Sequence, residues 1–395
     1  MKYIFLVGDG MQDRPMAELD GKTPLEVAKT PNMDYIARKG KVGWARTIPE
    51  GKSPGSDVAI MSLLGYSPKE FYTGRGPLEA ANLGVNLKED EIAFRCNLVT
   101  VSDETMVDYS AGHITSKEAA VLIKFLDQKL SPDKFRFYPG VSYRHLMVSK
   151  GIGEDLKCTP PHDITGKQIK EFLPRGENEE VMSDLMERSR SLLKEHEINH
   201  VRIDLKENPA NMIWLWGQGK KPNMPSFSLK FGVEGSVISA VDLIKGLGRI
   251  IGLKPVNVEG ATGYYDTNYL GKAQAAIKAL KDKDFVFVHV EAPDEAGHNG
   301  ELRAKISVIE KFDSLVVGTI LEHFKDREDF RILVSSDHPT PLSIRTHAAE
   351  PVFFAVYGRG IISNNVDGFN EQAARMSEWK FEEGHRLMEY FIRDT

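Results

Sequence analysis

Three apolar runs in this chain end at or near an aspartate, and two of them add a histidine. KYIFLV (2–7) is ended by Gly8-Asp9-Gly10, FVFVHV (285–290) leads to Asp294 and His298, and RILVSS (331–336) leads to Asp337-His338. Short β-rich runs of this kind read as buried strands. Carboxylates and imidazoles at the ends of buried strands are costly unless something binds them. Strands that alternate with helix-patterned stretches predict an α/β fold with a mainly parallel sheet. In such sheets ligands bind at the carboxyl ends of the strands. The recurrence of acids at those ends therefore points to one shared site.

The intervening stretches fit this reading. Pro24 near the start and Gly40 just past the end frame a helix over about 24–39. Apolar residues at helical spacing over 301–325 (Ile306, Ile309, Phe312, Leu315, Val316, Ile320) predict another, PVFFAVYG (351–358) a fourth strand, and 378–392 an amphipathic helix. At 395 residues the chain is too long for one ordinary core, so two domains are expected. The middle is richer in charge and has its own strand-like and helix-like pieces, such as EIAFRCNLVTV (91–101) and KEAAVLIKFLDQKL (117–130). It reads as an inserted α+β domain over 86–208, between 1–85 and 209–395. NMIWLWGQG (211–219) reads as a return to an apolar strand ending in Gly, within the 209–395 part of the outer domain.

Composition excludes several classes. A net charge of −6 argues against a nucleic-acid partner. The two cysteines, Cys96 and Cys158, are no disulfide framework, which fits a cytoplasmic chain. The apolar start MKYIFLV is too short for a signal peptide, and no window reaches the length of a membrane span.

Asp294 and His298 are spaced i, i+4, so one helical turn would point both the same way, as half of a metal site or as two solvated polar groups. Asp337-His338 precedes Pro339 and can equally serve a turn or reach two neighbouring ions. His347 lies before the next strand, at the same predicted rim. Asp9 sits between glycines that allow close approach of a ligand, or simply in a turn. In GKSPGSDVAIMSLLG (51–65), Ser56 stands at the predicted start of a helix. It is either an ordinary N-cap or a nucleophile where backbone N–H groups and the helix dipole favour anions. A serine hydroxyl needs a base or a metal to become a good nucleophile. Together Asp9, Ser56, Asp294, His298, Asp337, His338 and His347 can supply two divalent ions with four and three protein ligands, leaving positions for substrate.

The order GDGM, Ser-Asp at a helix start, DEAGH, SSDH and a late TH resembles the alkaline phosphatase superfamily. More closely it resembles the archaeal-type branch of the cofactor-independent phosphoglycerate mutases, through LLGYSP (63–68), GRGPLEAA (74–81), SAGHI (110–114), YRHLMV (143–148), TPPHDI (159–164) and GSVISAVDLIKGLG (235–248). The resemblance spans nearly the whole chain. It implies an alkaline-phosphatase-like domain with two ions, Mn²⁺ first and Zn²⁺, Co²⁺ or Mg²⁺ next, and a substrate-binding insertion. By position Asp294, His298 and His347 match the ligands of one ion, and Asp9, Ser56, Asp337 and His338 those of the other. Ser56 would carry the phosphoryl group, and no bisphosphoglycerate would be needed. The substrate would be a small phosphorylated hydroxy acid, in a reaction of glycolysis and gluconeogenesis. In the insertion, His113, Arg144, His162 and Asp163 are the candidates for carboxylate recognition and proton transfer, and Arg75 of GRGP for holding phosphate; each could instead be a structural ion pair or a surface residue.

PVFFAVYG departs from the PVPF expected in this branch, away from the chemistry. VNVEGATG (256–263) and TPPHDI also occur in a bacterial offshoot proposed as homoserine kinases, so phosphorylation of homoserine is the second reading. No Walker loop GxxxxGK[ST] is present for ATP. A metal-dependent phosphatase is a third reading, and the large insertion weighs against it. A non-catalytic metal-binding protein would have no use for Ser56.

Overall fold

The computed structural model describes residues 1–130 and 134–393. Its strands, in chain order, are β1 (Lys2–Gly8), β2 (Lys41–Ala45), β3 (Glu91–Ser102), β4 (Thr105–Asp108), β5 (Phe135–Val141), β6 (Arg144–Lys150), β7 (Met212–Lys220), β8 (Gly235–Ile238), β9 (Lys254–Pro255), β10 (Phe285–Val290), β11 (Phe330–Ser335), β12 (Val352–Gly358) and β13 (Lys380–Phe381). The chain divides into two compact units, Met1–Tyr72 with Met224–Thr395, and Thr73–Asn223.

The first unit is built on an eight-stranded sheet of order β13-β2-β12-β11-β1-β10-β8-β9. Five of its seven pairings are parallel, and only β12 runs against its two neighbours. β12 runs antiparallel because residues 336–351, which join it to β11, form loop and turn with no crossover helix. β10 and β11 are buried along their whole length, as parallel strands covered on both faces must be. Ile4 and Leu6 of β1 pack with residues of the helices Tyr269–Ala279 and Leu302–Lys311. On the alternate face Phe5 meets Phe287 and Phe391. Each such side chain contributes about 1.5–3 kcal/mol by burial.

Register decides the functional edge. Gly8 of β1 pairs with Val290 of β10, and Val7 with Ser335 of β11. The residues that follow these three strands therefore emerge side by side.

Two expected helices are shorter. The stretch 24–39 splits into Pro24–Val27 and Pro31–Lys39, because Pro31 keeps Thr30 out of helical geometry (φ −124°, ψ 53°). Within the expected span 378–392 only Arg386–Ile392 is helical. Lys380–Phe381 instead pairs with β2, and Trp379 and Phe381 pack their rings on Phe354.

The second unit is a five-stranded antiparallel sheet centred on β3, which lies between β6 and β7. The helices Ser116–Leu130 and Glu179–Lys194 share one core with it, and the helix Arg75–Asn82 adds a smaller one with Leu87, Ala93, Leu146 and Val148. This unit extends past 86 and 208 at both ends. NMIWLWGQG pairs with β3 rather than returning to the first sheet, and the GRGPLEAA helix packs with β3 and β7.

Candidate active site

All the predicted metal-type residues lie in the first unit, at the carboxyl edge of β1, β10 and β11. Asp294 and His298 lie on the helix Ala292–Asn299, which begins two residues after β10. His298 Nε2 is 3.2 Å from Asp294 Oδ2 and 3.0 Å from His347 Nε2, and His347 Nε2 is 3.6 Å from Asp294 Oδ1. His298 Nδ1 lies 3.1 Å from the Arg345 carbonyl, to which it can donate, leaving Nε2 for the site. Nearby, His338 Nε2 is 3.3 Å from Asp337 Oδ2, 3.5 Å from Asp9 Oδ1 and 3.2 Å from Ser56 Oγ. Ser56 Oγ is 3.5 Å from Asp9 Oδ2.

Ser56 is the first residue of the helix Ser56–Leu63, whose N-cap is Gly55 with no side-chain cap bond. Its hydroxyl is therefore not an N-cap acceptor but faces the carboxylates. This differs from the N-cap reading of its position, and the extended Gly55 backbone is the local cause.

The donor set fits divalent ions. Asp9 Oδ1 and Asp337 Oδ2 are buried without a hydrogen-bond partner. Two imidazole nitrogens face each other across 3.0 Å, an arrangement that a shared cation or proton must hold. Burial, reinforced by Asp337 and Asp294, raises Asp9 well above the ordinary carboxylate range. Burial also opposes ionisation of Asp294, but hydrogen bonds from His298 and His347 outweigh it and hold the group well below that range. His298 rises to about 9, because Asp294 outweighs the burial that would lower it. Burial lowers His338. So many like charges in a small dry volume are relieved by metal cations.

Several residues of this site were not anticipated. Thr340 donates a short hydrogen bond to Asp294 and lies 3.3 Å from His338 Nδ1. Lys305, fully buried, reaches Asp13 at 2.7 Å and the Thr340 carbonyl at 2.8 Å. His289 of β10 contacts Asp9 and Glu291, and Glu291 is met by the buried Lys272 at 2.8 Å. Against burial, Glu291 and Asp9 raise His289 to about 10. The available signal was a lone polar residue inside the apolar run FVFVHV.

The candidates of the second unit form a cluster of their own. Trp216 lies opposite Arg95 across β7 and β3. Arg95 stands over its ring at 4.4 Å and Arg75 at 5.7 Å, and the His162 ring is 5.4 Å away. His162 continues to Tyr109, Tyr109 to Tyr143, and Tyr143 to His113, with ring centroids 5.8–6.1 Å apart. Arg144 lies over Tyr143 at 5.5 Å, and Asp163 is 3.7 Å from His162. Arg95, paired with Glu79 at 2.8 Å, is buried, and burial with Arg75 and Arg144 nearby lowers its pKa. Arg95 and Trp216 were not anticipated, although a charge inside EIAFRCNLV was visible. The cluster offers cations and aromatic edges suited to a small anion.

Buried carboxylates, imidazoles and a helix-start serine at the edge of a parallel sheet suit the class of metal-dependent phosphoryl-transfer enzymes. A family model described as 2,3-bisphosphoglycerate-independent phosphoglycerate mutase matches residues 37–199. A 2,3-bisphosphoglycerate-independent phosphoglycerate mutase of Methanosarcina barkeri is 54% identical over 378 residues, covering 95% of both chains. Among solved structures, a Pyrococcus horikoshii protein superposes with a TM-score of 0.84 at 31% identity, covering 99% of this chain and 96% of that one. The cofactor-independent phosphoglycerate mutase of Thermoplasma acidophilum gives a TM-score of 0.67 at 28% identity over 99% of both. The chain belongs to the 2,3-bisphosphoglycerate-independent phosphoglycerate mutase family.

Proposed function

We propose that this chain is an isomerase that interconverts 3-phosphoglycerate and 2-phosphoglycerate without bisphosphoglycerate, carrying the phosphoryl group on Ser56. Its relatives' names support the reaction. The observation that carries the mechanism is the position of Ser56 Oγ, 3.2 Å from His338 and 3.5 Å from Asp9 at a helix start.

Asp294, His298 and His347 would hold one divalent ion, and Asp9, Ser56, Asp337 and His338 the other. Bound there, the ions would polarise phosphoryl oxygens and lower the pKa of a hydroxyl. Mn²⁺ is the first choice, with Zn²⁺, Co²⁺ or Mg²⁺ as alternatives. Ser56 Oγ gives up its proton and forms a bond to phosphorus as the phosphorus–oxygen bond to glycerate breaks. The departing glycerate oxygen keeps the electron pair and takes a proton. The other glycerate hydroxyl then gives up its proton and attacks phosphoserine, which restores Ser56. The N–H groups at the start of the Ser56 helix favour the anionic phosphoryl group. We assign proton transfer to His113 and Asp163, and recognition of carboxylate and phosphate to Arg75, Arg144 and His162.

The test is a coupled assay of metal-stripped protein given Mn²⁺ and 3-phosphoglycerate, with enolase reporting 2-phosphoglycerate. Turnover of about 1 s⁻¹ or faster, lost in Ser56→Ala, is expected. No turnover in protein that binds two ions overturns the mutase reading and favours phosphorylation of homoserine.

A further inference from the structure

His289 lies on β10, opposite Val7 of β1, and is fully buried. Its two ring nitrogens face different surroundings. Nδ1 is 3.1 Å from Glu291 Oε1. Glu291 is itself fixed by the Ser239 hydroxyl at 2.8 Å, the Ala240 and Val241 amides at 3.1 Å, and Lys272 at 2.8 Å. A carboxylate so firmly held keeps a proton on Nδ1 and leaves Nε2 as the donor. Nε2 is 3.1 Å from Asp9 Oδ2, yet it is aligned with no hydrogen-bond partner. The same holds for two other buried atoms beside it, Asp9 Oδ1 and Asp337 Oδ2. One ligand atom from each of Asp9, His289 and Asp337 can be chosen so that all lie within 4.8 Å of one another.

We propose that His289 is a direct nitrogen ligand of the ion held by Asp9 and Asp337, with Glu291 and Lys272 as its orienting support. This rests on the two-ion reading above and extends its ligand set by one residue. A carboxylate behind an imidazole that binds a metal fixes the tautomer and makes the nitrogen a better donor. The carboxylates that would draw a proton to Nε2 draw a metal cation to it equally well. Three dry, unpartnered donor atoms in one small volume are otherwise an uncompensated cost.

Equilibrium dialysis with Mn²⁺ alone, without substrate, tests the proposal on the full chain. Wild-type protein should bind two ions. His289→Asn keeps an amide near Glu291 but falls short of Asp9. It should weaken one ion about tenfold or more and leave the other within twofold. Two ions bound alike by wild type and variant overturn the assignment of His289 only. Fewer than two ions in wild type overturn the two-ion reading and this one with it. Crystals of wild type soaked in Zn²⁺ give an answer independent of the variant's folding. His289 Nε2 at about 2.1 Å from an anomalous peak supports direct ligation. A separation beyond about 3 Å overturns it.

Discussion

Ser56 and Lys305 show two ways in which one residue answers to its surroundings. Ser56 donates nothing to its helix, so Ser56→Ala should leave the fold intact. Turnover should fall by at least about a thousandfold, as expected for loss of a nucleophile, while circular dichroism and the unfolding midpoint of the metal-stripped protein stay unchanged. A variant that keeps a tenth of the activity would mean that Ser56 is not the phosphoryl carrier. Lys305 is the opposite case. It is fully buried, with Asp13, itself buried, as its charged partner at 2.7 Å. Lys305→Met strands that carboxylate and should cost about 3–5 kcal/mol. Urea titration reads this directly, and a loss below about 1 kcal/mol would show that Asp13 finds another partner. Ser56 was legible because a serine after Pro-Gly before an apolar run is a local pattern. Lys305 was not, since nothing in LRAKISVIEK distinguishes a buried lysine from a solvated one.

Among elements, the loop after β1 and the helix after β10 are held together by the absence of side chains. Gly10 has φ +59°, and a Cβ there would sit 2.5 Å from Thr340 Oγ1 and 2.6 Å from Asp294 Oδ1. A Cβ on Gly297 would sit 2.4 Å from the Thr340 carbonyl. Both glycines thus let two loops and a helix close around one site. Gly10→Ala should push Asp294 aside and weaken the ion of the Asp294–His298–His347 set about tenfold or more, by analogy with the loss of supporting partners. Mn²⁺ dialysis is the readout, and unchanged binding would show that the loop yields without moving Asp294. The motifs GDG and DEAGH flagged these positions, but the sequence could not say that both glycines approach Thr340. For Gly10 that approach joins residues more than 300 positions apart in the chain. The same limit explains the shortened last helix, where Trp379 and Phe381 pack on Phe354. The break at Pro31 is a local effect of proline on Thr30.

At the scale of the molecule, the two units should answer differently to ions and to pH. A ligand at one hundred times its dissociation constant adds about 2.7 kcal/mol to the state that binds it. Stripping the ions with a chelator should therefore lower the calorimetric transition of the first unit and spare that of the second. Equal shifts in both would contradict ion binding by the first unit alone. The second unit carries His145, buried on β6, with Nδ1 accepting from the Gly140 amide and Nε2 without a partner. Burial lowers its pKa to about 3. The unfolded chain protonates this residue near pH 6.5 while the folded one does not. Its contribution is therefore complete above about pH 6.5 and is lost toward pH 3, at up to about 1.4 kcal/mol per unit. The urea midpoint should fall more steeply between pH 7 and pH 5 in wild type than in His145→Gln. Parallel slopes would show that His145 is hydrated in the folded state.

The sequence by itself determined the strands, their alternation with helices and the polar residues that end them. Each of these follows from local patterns of apolarity and turn chemistry. It also placed Asp9, Asp294, His298, Asp337, His338 and His347 at strand ends, where a parallel sheet must bring them to one edge. Only the tertiary structure decided which side chains meet across that edge. The register of β1 with β10 and β11 set those distances. Burial turned His289, Glu291, Lys272 and Lys305 from ordinary polar residues into paired groups of a dry site. The pairing of β7 with β3 put Trp216 beside Arg95 and made a cation cluster from residues about 120 positions apart. Contacts of this range depend on how strands stack and pair, and no local window of sequence carries that information.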